Sequence, residues 1–351
     1  MKKGIILTSL VALCLFLANC QKNDDGNSVK LRDYQTQYDT DIADIEQFLK
    51  THSYEEVIAP GTAQDGDVIF HEVPENDATS IFANADGKLT YRMVEDDDIE
   101  YKLYYLKLRE GGGIANDKPF PCNVDAVLAA YSGTYLFHLT GEDEDGVAYD
   151  SLKTNEFETN NFPQTFFNLE SVVKGWSEIF PQFKGGDHEE IEGQPTLYTD
   201  FGAGVMFIPS GLGYYNGGAN GSIPSYSPLI FTFKLFEIKR LDQDADGIPS
   251  YLEDHGSLDG GTTPDRYIYI TLDDDGNPLP NPDDTDNDGP PDYLDLDDDG
   301  DQMLTKRELQ INLGDDTQLY DFFTVPDCSG DATNPDRLRR HLDPACAGST
   351  P

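Results

Sequence analysis

From Thr36 to His52, apolar residues recur at Ile42, Ile45, Phe48 and Leu49, with acids and Lys50 filling the other face. That helical period predicts one amphipathic helix whose apolar stripe is a packing face. Residues 55–98 give weak strand signals interrupted by Pro60, Gly61, Pro74 and Gly87. The pattern changes at Ile99. Residues 99–113 alternate as a strand does and end in Gly111-Gly112-Gly113. Another strand begins near Ala126, followed by a long excursion with an acidic turn at Asp145-Gly146. Two apolar runs, Gly204–Ser210 and Pro228–Arg240, predict further strands, the second long and rich in aromatic residues. A short helical segment is expected around Trp176, the only tryptophan. Strands with so little helix predict an α+β fold built on an antiparallel sheet. Past Arg240 the chain turns to Asp, Gly and Pro with few large apolar residues, which sets a boundary at 241. So acidic a segment cannot bury much core, and metal ions and a disulfide are its expected sources of order.

Charge and the first residues then narrow the context. With 66 acidic and 24 basic residues the net charge is −42, which argues against a nucleic-acid partner. Residues 1–19 combine Lys2 and Lys3 with an apolar run too short to span a bilayer, the pattern of a secretory signal. Leu17-Ala18-Asn19-Cys20 resembles a bacterial lipobox, which implies acylation of Cys20, a tether over 20–35 and anchorage in a membrane. Residues 21–25 also resemble the acidic tag of surface-displayed lipoproteins. These resemblances imply an outer-membrane location, on either face. Cys328 and Cys346 bracket the tail and are the expected disulfide pair in an oxidising compartment, leaving Cys122 as a small buried hydrophobe.

Residues 99–241 carry five segments that, in order, resemble the FKBP family of peptidyl-prolyl isomerases. Ala129–Gly133 resembles its tyrosine strand, Gly146–Ser151 its aromatic-Asp-Ser segment, and Ser171–Trp176 the start of the helix beneath its pocket. Phe207–Tyr215 resembles its proline loop, and Gly221–Leu235 its last loop and strand. The resemblance implies a half-barrel sheet wrapped on a short helix, with residues 36–98 as an N-terminal extension. It also implies a proline pocket formed by Tyr131, Tyr149, Asp150, Val172, Val173, Trp176, Tyr214, Ile223 and Phe231. In that reading Trp176 is the floor, and the Tyr214 hydroxyl, the Ile223 N–H and the Asp150 carboxylate orient the substrate carbonyls. Phe231 and Val172 are equally well explained as plain core. Gly175 is expected to let the chain turn into the helix, and Phe166 or Phe167 to supply a ring where Thr165 replaces one. Catalysis of this kind requires no cofactor.

The tail, 242–351, carries its own chemistry. Asp242, Asp244, Asp246 and Glu253 fall at positions 1, 3, 5 and 12 of a calcium loop, with Gly247 at the turn. Asp284, Asp286, Asp288, Asp292 and Asp295 repeat the spacing. Asp297, Asp299, Asp301 and Glu308 form a third set, with Gln302 in place of glycine. These loops resemble thrombospondin type 3 repeats, which implies structural Ca²⁺ and a spacer role. Asp273–Pro278 has the acids without the spacing. Together these features predict a lipid-anchored isomerase acting on proline-containing unfolded or exported polypeptides. The alternatives are a non-catalytic proline-binding module and a calcium-dependent adhesion or spacer protein.

Overall fold

The computed structural model describes residues 31–190, 192–193, 195–218, 221–253, 268 and 281–346. The signal segment, Cys20, most of the tether and Asp273–Pro278 lie outside the described residues. The first element is helix α1 (Tyr34–Thr51). The Asp33 carboxylate caps it, accepting from the Thr36 N–H at 2.9 Å and the Thr36 hydroxyl at 2.8 Å. Strands β1 (His52–Glu56) and β2 (Val68–Glu72) pair as a separate hairpin. Then come β3 (Leu89–Asp96), β4 (Ile99–Arg109), β5 (Ala126–Glu142), β6 (Ala148–Asn160) and the short β7 (Phe167–Asn168). Helix α2 (Lys174–Ile179) is next, then a small hairpin of β8 (Asp187–Glu189) and β9 (Leu197–Thr199). The last strands are β10 (Gly202–Ile208) and β11 (Leu229–Lys239).

Strands β3 to β7, β10 and β11 form one seven-stranded antiparallel sheet in the order β3-β4-β10-β11-β5-β6, with β7 also on β5. The fold is therefore α+β, a curled antiparallel sheet with few helices. Both faces of its centre are covered, which explains why β10 is apolar and buried along its whole length. On one face Met206, Ile208, Phe231 and Phe233 pack against Trp176, Ile179 and Phe180 of α2 and the turn after it. On the other, Val205, Phe207 and Ile230 pack against Ile45, Phe48 and Leu49 of α1. The extension predicted over 36–98 thus contributes both a helix that closes the outer face and β3, the edge strand of the sheet.

The tail has little regular structure: short 3-10 turns and a single helical turn over Thr305–Glu308 among the described residues. It docks on the sheet domain through Cys122, Val124, Ile268 and Tyr293, which form a small apolar cluster with Tyr251 packed against it. Around that cluster the Arg240 guanidinium pairs with Asp125, donates to the Phe120 carbonyl at 3.0 Å and stacks 3.9 Å over the Tyr251 ring. Asn123 exchanges hydrogen bonds with the Ile268 backbone at 2.6 and 2.8 Å. Cys328 and Cys346 form a disulfide.

Candidate functional site

Trp176 sits at the centre of an aromatic box. The rings of Tyr131 and Phe231 stand edge-on to it with centroids 5.1 Å away, and Phe167 and Phe180 at 5.5 and 5.2 Å. Edge-to-face pairs of this kind contribute about 0.5–1.5 kcal/mol each beyond their buried area. Two glycines make the box possible. A Cβ on Gly175 would lie 2.7 Å from Ile208 on β10, so this glycine lets α2 press onto the sheet; its role is close packing, not a turn. A Cβ on Gly133 would lie 2.4 Å from Phe157 and 2.8 Å from Phe231, and its absence lets those two rings meet at 5.6 Å and 89°.

Above Trp176 lies a cavity of about 610 Å³. Tyr131, Val172, Val173, Tyr214 and Phe231 line it with Trp176, so six of the nine predicted pocket residues converge. Phe167, rather than the exposed Phe166, supplies the ring beside Thr165. The Trp176 indole N–H is buried without a hydrogen-bond partner, a donor at the floor of an apolar site. Ile223 is buried in the same core cluster but is not part of the cavity lining.

Tyr149 and Asp150 do not belong to the site. They lie on β6 near its hairpin turn, where Asp150 pairs with Thr140 of β5, whereas Tyr131 pairs with Asn160. Ten residues of strand at roughly 3.3 Å each separate the two places by on the order of 30 Å. Asp150 instead accepts from His138 at 2.6 Å, and Asp44 approaches the other ring nitrogen at 3.0 Å. Hydrogen bonding to Asp44, then to Asp150, raises the His138 pKa. The position expected of Asp150 is taken by Glu158, which lines the cavity mouth and hydrogen-bonds the Tyr131 hydroxyl. Burial, then that bond, pushes the Tyr131 pKa up. Burial, then the Glu158 charge, does the same for Tyr214. The signal was present: Phe157-Glu158-Thr159 repeats the order aromatic, acid, hydroxyl, closer in the chain to Val172.

Helix α1 holds the loop that delivers Tyr214. The buried Asp41 carboxylate accepts from the Ser210 N–H at 2.7 Å, the Ser210 hydroxyl at 2.6 Å and the Gln37 side chain at 2.6 Å. Tyr34 stacks on Tyr215 at 4.3 Å. Burial outweighs these hydrogen bonds and raises the Asp41 pKa to about 6.

The tail brings its acids into three groups among the described residues. Asp284, Asp286 and Asp288 form one, and Asp297, Asp299 and Asp301 another. Glu308 lies beside the second, where burial, then the charges of Asp299 and Asp301, raises its pKa to about 8, and both its oxygens are buried without a partner. The third contains Asp244, Asp246 and Glu253 with Asp298, a residue in none of the predicted ligand sets. Asp242 lies outside it and accepts from the Gly247 N–H at 3.2 Å. Asp292 clasps Thr285 through two bonds of 2.8 Å, and Asp295 accepts from the Asp297 N–H at 3.0 Å. Burial, then the charges of Asp246 and Asp244, pushes Glu253 up to about 11. All of these donors are hard oxygens, a set suited to Ca²⁺.

Residues 243–335 match a family model described as BamM C-terminal, in place of the thrombospondin type 3 repeats. An FK506-binding protein of Neisseria meningitidis serogroup C is 31% identical over 102 residues, which span 29% of this chain and 75% of that protein. The Macrophage infectivity potentiator of Trypanosoma cruzi is 32% identical over 102 residues; the chain spans 41% of its length. Among solved structures, a peptidyl-prolyl cis-trans isomerase of Pseudomonas syringae is 16% identical, with a TM-score of 0.30 and coverage of 60% of this chain and 99% of that one. FkpA from Escherichia coli is 24% identical, with a TM-score of 0.27 and coverage of 42% and 51%.

Proposed function

The chain belongs to the FK506-binding protein family, and from that premise we propose that it catalyses cis-trans isomerisation of X-Pro bonds in exported polypeptides. The observation that carries the proposal is the aromatic box around Trp176, which floors a cavity of about 610 Å³ lined by Tyr131, Tyr214 and Phe231. Rotation about the X-Pro bond faces a barrier of about 18–20 kcal/mol because the amide must lose its resonance. The twisted amide is less dipolar than the planar one, so an apolar pocket favours it over the ground state. No nucleophile takes part. The prolyl ring packs on Trp176 between Tyr131 and Phe231, while the Tyr214 hydroxyl and the Glu158–Tyr131 pair at the rim orient the flanking backbone.

The reading extends to the two ends of the chain. The lipobox-like Cys20 would anchor the domain to the outer membrane, and the acidic tail would be ordered by Ca²⁺ held between its loops. Supporting the second point are the clustered carboxylates of the tail, several of whose oxygens are buried without a hydrogen-bond partner.

A proline-limited refolding assay tests the activity. The protein is expected to accelerate the slow phase, and Trp176→Leu to lower kcat/KM at least tenfold, about 1.4 kcal/mol. Trp176 is the only indole, so its fluorescence reports pocket occupancy in the same samples. A slow phase unchanged by the protein, with peptide still quenching Trp176, would leave a proline-binding module instead of an enzyme.

A further inference from the structure

Asp298 comes directly after the first acid of the third loop and sits out of step with its alternating ligands. It is 1% exposed, and its carboxylate points away from that loop, into the group formed by Asp244, Asp246 and Glu253 of the first loop. One ligand oxygen from each of the four residues lies within 4.8 Å of the others. Oxygens on opposite sides of a calcium ion, at about 2.3–2.6 Å from it, are separated by that order of distance.

Hydrogen bonding leaves the space to a cation. Glu253 is 2% exposed, and both its oxygens are buried without a partner, as are both oxygens of Asp298. Oδ2 of Asp244 and Oδ2 of Asp246 are likewise buried and unpartnered, while their other oxygens accept from the Asp246 and Ile248 N–H groups. The Thr305 hydroxyl accepts the Asp298 N–H at 3.1 Å. The ammonium of Lys306 donates at 2.8 Å to the Ala245 carbonyl instead of to a carboxylate. The group thus holds six buried carboxylate oxygens without a partner, and Ca²⁺ takes six to eight. Asp246, Glu253 and Asp298 are buried and Asp244 half-buried, so the Lys306 ammonium nearby, alone among the described residues, leaves most of their charge unbalanced without a metal ion. Imidazole and thiolate are absent from the group, so Zn²⁺ and Cu²⁺ have no preferred ligand there.

We infer that Asp298 completes an inter-loop site with Asp244, Asp246 and Glu253, and that one calcium ion bound there staples the first loop of the tail to the third. The inference rests on the calcium reading of the tail and adds to it: the first loop is a half-site, so binding and tertiary assembly of the tail are one event. Ligands from two loops also explain why Asp242, the first position of the linear pattern, stands outside the group.

The test is calorimetric titration of Ca²⁺ into the chelator-treated full chain, with thermal unfolding at saturating Ca²⁺ alongside. Asp298→Asn and Glu253→Gln are each expected to remove the same one site, or weaken it at least tenfold, and to reduce the Ca²⁺-dependent rise in Tm. The double variant should lose no more than either single one, because the two residues serve one ion. Asp286→Asn, in a separate group, should leave that site intact, and the Trp176 emission spectrum reports whether each variant keeps its sheet domain folded. Asp298→Asn binding with unchanged stoichiometry and affinity, while Glu253→Gln loses a site, would overturn the inter-loop site alone. A wild-type chain that binds no Ca²⁺ would overturn the calcium reading with it.

Discussion

Glu158 stands at the edge of the cavity with its carboxylate on the Tyr131 hydroxyl, in a place where a family resemblance led to Asp150. A longer acid at the rim alters reach, not charge, so orientation of the substrate backbone is expected to survive the exchange. Loss of one charge-assisted hydrogen bond is worth about 1.5–3 kcal/mol. Glu158→Gln is therefore expected to lower kcat/KM at least tenfold in the refolding assay, while Asp150→Asn leaves it unchanged. The reverse ranking would return the role to Asp150. This pair also marks where the sequence is ambiguous. The side chains of Trp176, Tyr131, Tyr214 and Val173 were legible because each sits in a distinctive local segment. Three residues in the order aromatic, acid, hydroxyl occur twice on one long strand, and only the β5–β6 register decides which copy faces the pocket. Asp298 was hidden for a related reason: a linear ligand pattern cannot show an oxygen contributed by a different loop.

At the scale of elements, α1 does more than cover the outer face of the sheet. Its Asp41 ties the Ser210 turn in place, and the residues just beyond that turn carry Tyr214 to the cavity. The periodicity of α1 was plain in the sequence, but Asp41 lay on the face assigned to solvent, and its burial depends on the loop that docks there. Burial raises its pKa from 3.8 to about 6, so its contribution is fully present below pH 4 and is lost as the pH rises through 6. A shift of this size corresponds to on the order of 3 kcal/mol. Asp41→Asn keeps the shape without the charge. Between pH 4 and pH 7 the variant should gain stability relative to wild type by an amount of that order, read from denaturant midpoints at fixed m. A difference that stays flat with pH would mean that Asp41 is solvated as a surface acid is. In the isomerase assay Asp41→Ala should raise KM more than it lowers kcat, since it loosens the loop and leaves the box around Trp176 untouched.

Considered whole, the molecule is a sheet domain with an acidic extension fastened close to its pocket. The Glu170 carboxylate accepts from the Tyr293 hydroxyl at 3.1 Å and from Gln243 at 3.1 Å, and Glu170 immediately precedes Ser171 and Val172 of the cavity wall. Order in the tail is therefore coupled by contact to the segment that leads into α2. If Ca²⁺ orders the tail as proposed, its removal is expected to leave a chain with net charge −42 repelling itself across the loops, and the docked cluster should open before the sheet unfolds. Cys122 lies under that cluster at 1% exposure, and burial pushes its thiol up to about 12, out of reach of thiol reagents at neutral pH. Maleimide modification of the peptide carrying Cys122, read by mass spectrometry, should thus be slow in Ca²⁺ and accelerate many-fold in chelator. Equal rates in the two conditions would show that the tail stays seated without its ions. The thiol that joins the two halves is in effect a tell-tale seal, unmarked as long as the joint between them has never been broken.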